Sequence, residues 1–188
     1  AKVKVYGGDY EKVVRKYDSK DTVFFLDPPY PGYNADVGES EFDEERFFKL
    51  LKSLKGRFLI TYGIRGKFPE LVKGSDFWSK RIRTRRSIAH MRGVGGSSVL
   101  TQLLVANYEP TTKALDDEFV LDDWDGALDE GDDDVEKAQP FGTFGGSFHY
   151  AKRIVPLIPA HKTYVEPFAG AAAVLHAVRA TSPTVEPA

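Results

Sequence analysis

The chain has 188 residues, a net charge of −2, 41% apolar residues and no cysteine. That length suits one domain with its own core, and the missing cysteines exclude disulfides and thiolate metal sites. No run approaches the roughly 20 apolar residues of a membrane helix, and no basic-then-apolar leader opens the chain, so a cytoplasmic location is expected.

Lys2–Tyr6 predicts a short strand and Gly7-Gly8-Asp9 a turn. Tyr10–Tyr17 has helical spacing. Thr22–Leu26 (TVFFL) is a continuous apolar run, the pattern of a strand buried on both faces. Asp43 suits the N-cap of a helix through Leu54, with Phe47, Leu50, Leu51 and Leu54 on one face. Arg57–Tyr62 (RFLITY) predicts another buried strand, Phe68–Val72 a short helix and Ser98–Tyr108 a long strand. This alternation predicts an α/β fold with a doubly wound, mostly parallel sheet.

The composition then changes. Residues 1–110 form the first unit, 111–139 an acidic connection and 140–188 a last unit, together one domain. Leu115–Glu136 holds twelve acidic residues and no Lys or Arg. It reads as a solvated acidic linker, although Val120, Leu121 and Trp124 also suit an arm that docks on a basic face. Tyr150–Ile158 is expected to be helical despite Pro156. Thr163–Val165 predicts a short strand, followed by Glu166-Pro167-Phe168-Ala169-Gly170 and an Ala-rich helix to about Ala180.

Two segments carry chemistry. Asp27-Pro28-Pro29-Tyr30 follows a buried strand directly, and open α/β sheets bind ligands beyond the carboxyl ends of their strands. An aromatic amine such as adenine N6 is a poor nucleophile, because its lone pair is delocalised into the ring. The Asp27 carboxylate and the Pro28 carbonyl can accept its two N–H bonds and draw the lone pair toward a methyl donor. Pro28 and Pro29 stiffen the backbone, and Tyr30 offers a flat face for a flipped-out base. The competing reading is a plain turn after a strand. In the second segment, Gly170 lets the backbone approach a ligand, and the following helix N-terminus favours a carboxylate. Glu166 ends its strand and can accept from an ammonium. Taken alone, this unit is equally a plain strand-to-helix turn.

A third feature is charge. Lys55 to Arg92 contains eleven Lys/Arg against Glu70 and Asp76, densest at Lys80, Arg81, Arg83, Arg85 and Arg86. With Arg92 these are candidate phosphate contacts to nucleic acid, mostly without base specificity. The loop at 93–98 reads equally as a solvent hairpin, and the stretch around Tyr33 and Asn34 as a lid or an ordinary loop. His90, His149, His161 and His176 lack metal-ligand spacing, so no metal site is expected.

The stretch FGGSFHYAKRIVPLIPAHKTYVEPFAGAAAVL resembles the opening of the DNA adenine methylase family, and VYGGDYEKVVRKYDSKDTVFFLDPPY resembles that family's later segment. The resemblance implies S-adenosyl-L-methionine as cofactor and adenine N6, flipped from double-stranded DNA, as the methyl acceptor. It implies catalysis by Asp27, Pro28, Pro29 and Tyr30. It also implies cofactor contacts from Glu166, Pro167, Phe168, Gly170, Asp9 and Tyr10, and from Gly146, Tyr150 and Lys152 of the glycine loop and the helix behind it. In the family Asp9 would meet the cofactor's adenine.

Several features depart from the family. The catalytic segment precedes the cofactor segment, the reverse of the usual order, as in a circularly permuted or incomplete chain. Ser147 stands where the family has lysine. A strand that in the family lies between those carrying Asp9 and Glu166, with an acidic end for the cofactor ribose, has no counterpart. A second chain supplying that strand and the target-recognition region is therefore one expectation. An RNA amino-methyltransferase and a non-catalytic DNA- or partner-binding remnant are the alternatives.

Overall fold

The computed structural model describes residues 3–29, 42–87, 97–111, 119–123, 151–169 and 172–181. Strand β1, Thr22–Leu26, is buried at every position, because it is hydrogen-bonded on both edges and covered on both faces. On one edge it pairs in parallel with β2, Arg57–Tyr62, with Leu26 opposite Ile60. On the other it pairs in parallel with β6, Thr163–Val165, with Phe24 opposite Val165. The remaining strands are β3, Trp78–Ser87, β4, Ser97–Ala106, and β5, Phe119–Asp123. The six-stranded order is β5-β3-β4-β2-β1-β6. β4 runs antiparallel to both β2 and β3, and β5 antiparallel to β3. The sheet is therefore mixed, with a parallel half at β6-β1-β2.

Helices cover both faces. On one lie α1, Tyr10–Tyr17, α2, Glu44–Ser53, and α3, Lys67–Lys73. They bring Val14, Phe47, Leu50, Leu51, Phe68 and Val72 against Phe24, Leu26, Ile60 and Val105. On the other lie α4, Ala151–Ile154, and α5, Ala173–Thr181. They pack Ile154, Leu157, Val174 and Val178 against Phe25, Leu59 and Leu104. Phe24 and Phe25 thus enter different clusters, which is why the run shows no polar alternation.

Local chemistry explains the boundaries. Asp9 and Asp43 cap α1 and α2, accepting from the backbone N–H of Glu11 and Arg46 at 2.8 and 2.9 Å. The helix expected through Ile158 narrows after α4 to a 3₁₀ turn, Val155–Leu157, because Pro156 has no N–H to donate. The strand expected at Lys2–Tyr6 does not form over the described residues 3–6. Val5 is 91% exposed, and Val3 and Tyr6 are also exposed. Alternation there has no neighbouring strand to pair with, and a strand needs a partner for its backbone groups. β6 is accordingly an outer strand among the described residues. The sequence reading also placed no strand in the acidic stretch, where β5 joins the sheet. Its register sets Asp123 opposite Lys80 and Asp122 opposite Arg81 along the backbone.

One buried carboxylate ties the first helical face together. Glu44, at the start of α2, accepts from Tyr62 Oη at 2.8 Å, from the Lys67 N–H at 2.9 Å and from the Phe68 N–H at 3.0 Å. It therefore caps α3 from a different helix. Gly66 precedes α3 with φ 104°, and a Cβ there would lie 2.6 Å from Glu44 Oε1. Glu44→Ala should leave these donors unmet and cost about 3 kcal/mol, read as a lower urea midpoint with an unchanged slope. A midpoint equal to wild type would contradict this role.

Candidate active site

The parallel register dictates what meets at the carboxyl end of the sheet. Leu26 lies opposite Ile60, so the next residues, Asp27 and Thr61, also face each other and share a side of the sheet. Thr61 is fully buried, and its hydroxyl donates to Asp27 Oδ1 at 2.7 Å. On the other flank Val165 lies opposite Phe24, and Glu166 follows at the end of β6. Tyr164, two residues earlier and thus on the same face, donates its hydroxyl to Glu166 Oε2 at 2.9 Å. The Leu175 N–H, in the first turn of α5, donates to the same oxygen at 2.9 Å. Glu166 is therefore both the end of a strand and a carboxylate bound at a helix N-terminus. The turn between them includes Ala172 with φ 55°, a conformation rare for a residue with a Cβ.

Electrostatics sets Glu166 apart. Burial pushes its pKa up from the usual glutamate value to about 7. The bonds from Tyr164 and Leu175 act in the opposite direction, and the charge of Asp27 adds to the rise. Asp27 and Glu166, far apart in sequence, both lie beyond the carboxyl ends of adjacent parallel strands. Tyr164 is pushed up, first by burial and then by the Glu166 charge, so its hydroxyl stays a donor.

A second group lies across the first helical face. Tyr10 and Phe168 pack with ring centroids 5.0 Å apart and planes tilted by 40°, and Phe42 packs on both at 5.8 and 5.9 Å. Burial pushes the Tyr10 hydroxyl up to about 12. Asp9, besides capping α1, takes Arg46 Nη2 at 3.0 Å, and Arg46 also pairs with Glu11 at 2.6 Å. The Arg46 hydrogen bond holds Asp9 below the usual carboxylate range. The structure thus joins Asp9 to α2, a contact the sequence did not suggest.

The fold therefore places Asp27 and Glu166 just beyond the carboxyl ends of adjacent parallel strands, with Pro28 and Pro29 following Asp27, and it packs Tyr10 on Phe168, while Pro167 lies in the turn after Glu166. Tyr30, Gly146, Tyr150, Gly170 and Arg92 lie outside the described residues, as do the stretch around Tyr33 and Asn34 and the loop at 93–96. Lys152 is described only as part of the α4 backbone, and Arg85 and Arg86 only as part of β3. The basic run is not one face. Strand alternation sends Lys80 and Ile82 to one side of β3 and Arg81 and Arg83 to the other, and Arg81 is 5% exposed. Thr61, Tyr164, Phe42 and Arg46 were not singled out in the sequence. The role of Thr61 depends on the register of β2 with β1, whereas that of Tyr164 follows from alternation within β6.

No helix among the described residues is long and apolar enough to cross a membrane. These features define an α/β protein with a carboxylate beyond the carboxyl end of each of two neighbouring parallel strands. No protein-family model matches the chain, and no curated protein matches it.

The raised pKa has a signed consequence. Between the unperturbed value of 4.5 and about 7, folded Glu166 keeps a proton that the unfolded chain has lost. Its contribution to stability therefore falls as pH rises through that window and levels off above it. The difference in unfolding free energy between wild type and Glu166→Gln, from urea titrations at stepped pH, should fall over the same range. A difference that does not change with pH would contradict the assignment.

Proposed function

We propose that this chain is the core of an S-adenosylmethionine-dependent DNA adenine-N6 methyltransferase, with a sheet of that enzyme class lacking one strand. The observation that carries this reading is the placement of Asp27 and Glu166 beyond the carboxyl ends of adjacent parallel strands. The two segments that resemble the methylase family lie at opposite ends of the sequence, yet their strands pair directly. Reversed order along the chain does not separate them in space.

The residues fit the cofactor. A carboxylate whose pKa is raised by burial favours a ligand whose positive charge offsets the cost of ionisation. S-adenosylmethionine carries an ammonium and a sulfonium, and supplies an electrophilic methyl group when bound. Glu166 would meet the ammonium, and Tyr10 and Phe168 offer aromatic edges beside the Pro167 turn. Asp27 and the Pro28 carbonyl accept the two N–H bonds of adenine N6, which turns the nitrogen lone pair toward the methyl group. The proton lost from N6 leaves by way of Asp27. Contacts to duplex phosphates are proposed for Lys80, with Arg85, Arg86 and Arg92 beyond it in the chain; Arg81 is buried and Arg83 shares its side of β3, so neither is included.

A second reading is favoured by one observation. β6 is an outer strand among the described residues, and residues 3–6 make no ladder. A chain in that state suits a non-catalytic, DNA- or partner-binding role, or a site completed by a strand from a second chain. Calorimetry with S-adenosylmethionine separates these readings, because only the methyltransferase reading requires cofactor binding by this chain.

Asp27→Ala should lower methyl transfer to duplex DNA by at least about 100-fold, while the cofactor Kd stays within about threefold, less than 1 kcal/mol. Transfer is measured with labelled cofactor on DNA and RNA in parallel. Undiminished transfer by the variant refutes the role of Asp27, and transfer to RNA alone refutes the DNA substrate.

A further inference from the structure

We propose that Thr61 and Tyr164 are positioning residues for the two site carboxylates, Thr61 aligning Asp27 for the methyl acceptor and Tyr164 aligning Glu166 for the cofactor. The inference rests on the methyltransferase reading and adds to it a division of labour between two hydroxyls.

The two pairs are built differently: Thr61 reaches across from β2 to Asp27, and Tyr164 reaches along β6 to Glu166 two residues on. Each hydroxyl comes from a sheet residue sharing a face with its carboxylate. Each takes a single oxygen, Oδ1 of Asp27 at 2.7 Å and Oε2 of Glu166 at 2.9 Å. Carboxylates rotate readily about their last bond, since that torsion is broad. A short aspartate beyond a strand end therefore needs an outside donor to hold its plane. Thr61 suits this task because its branched side chain is stiff at χ1 and fully buried. A Thr hydroxyl has one proton to give, so the 2.7 Å contact commits it to Asp27.

Tyr164 does the same with different means. Its ring packs with the second core cluster, which sets where the hydroxyl can reach. The Leu175 N–H shares Glu166 Oε2. With both donors on Oε2, Oε1 is the oxygen that meets a cationic ligand. Strand and helix thus hold Glu166 from two directions. A carboxylate held by only one of them would lose alignment without losing the fold.

The two hydroxyls should fail in different ways. Thr61→Val keeps the shape and removes the donor. It should lower kcat by about 10- to 100-fold, the range of a hydrogen bond to a charged group, with the cofactor Kd nearly unchanged. Thr61→Ser should restore most of kcat. Tyr164→Phe should raise the cofactor Kd by about tenfold and lower kcat at saturating cofactor less than Thr61→Val does. If Tyr164 acts through Glu166, its effect on Kd should largely vanish in a Glu166→Gln background.

The experiment measures calorimetric Kd for S-adenosylmethionine and steady-state methyl transfer to duplex DNA, using the full chain and these variants, each with its thermal midpoint. Wild-type protein that neither binds the cofactor nor transfers methyl overturns the methyltransferase reading, and this inference with it. Wild-type binding and transfer, with Thr61→Val at wild-type kcat, overturns this inference alone. So does a Thr61→Ser no better than Thr61→Val, or a Tyr164→Phe effect on Kd that persists undiminished with Glu166→Gln.

Discussion

The pairing of β1 with strands on both edges is the constraint on which the rest depends. β1 has no polar residue beyond Thr22 and is shut off from water, so each of its backbone groups must find a partner in β2 or β6. That requirement draws the last part of the chain back to the first. It also sets the register, and the register decides which side chains meet beyond the strand ends. A shift of β6 by one residue would turn Glu166 to the opposite face from Asp27. The site therefore follows from the hydrogen bonding of the most buried strand.

The electrostatics follows from the same burial. Two carboxylates at adjacent strand ends repel, and Glu166 has little water to screen its charge. Donors from Tyr164 and α5 offset part of that cost, yet burial prevails and leaves Glu166 poised near neutrality. The other carboxylates differ in environment. Asp9 is exposed and paired with Arg46, while Glu44 meets three donors. Glu166 has its raised pKa beyond the carboxyl end of a parallel strand, the usual place for binding in an open α/β sheet.

Much of the parallel half was legible in the sequence. TVFFL and RFLITY read as buried strands because neither alternates, and Asp43 announced α2 because aspartate satisfies free N–H groups at a helix start. The antiparallel half was less legible. In β3 the charged side chains of Lys80 to Arg86 hid a period of two, visible once Ile82 and Thr84 are set beside Trp78. β5 lay in a stretch whose acidity suggested solvent, although Phe119, Val120 and Leu121 supply strand-forming residues. Lys2–Tyr6 erred in the other direction: it has the alternation of a strand but no neighbour. Pattern encodes the capacity to pair, and only the assembled sheet decides whether a partner is there. The Thr61–Asp27 contact was hidden for the same reason, since it depends on the alignment of two strands, whereas Tyr164–Glu166 needs only the alternation of one strand.

The reversed order of the two segments then loses most of its weight as an objection. A parallel sheet is built by adjacency, and the connection between neighbouring strands can run through any length of chain that covers a face. Here the connection from β1 to β6 passes through β2, β3, β4 and β5 before returning beside its starting strand. What a rearranged chain must preserve is the pair of strand ends. What it can lose is a strand at the edge, where fewer backbone groups depend on it. β6 occupies that edge among the described residues, and it also carries Glu166. Glu166 thus stands at the end of an outer strand, which is why its second anchor, the first turn of α5, matters. A carboxylate held by an edge strand alone would move with the fraying of that edge. Joined to a helix packed on the core through Val174 and Val178, it keeps its place whether or not a further strand pairs beside it.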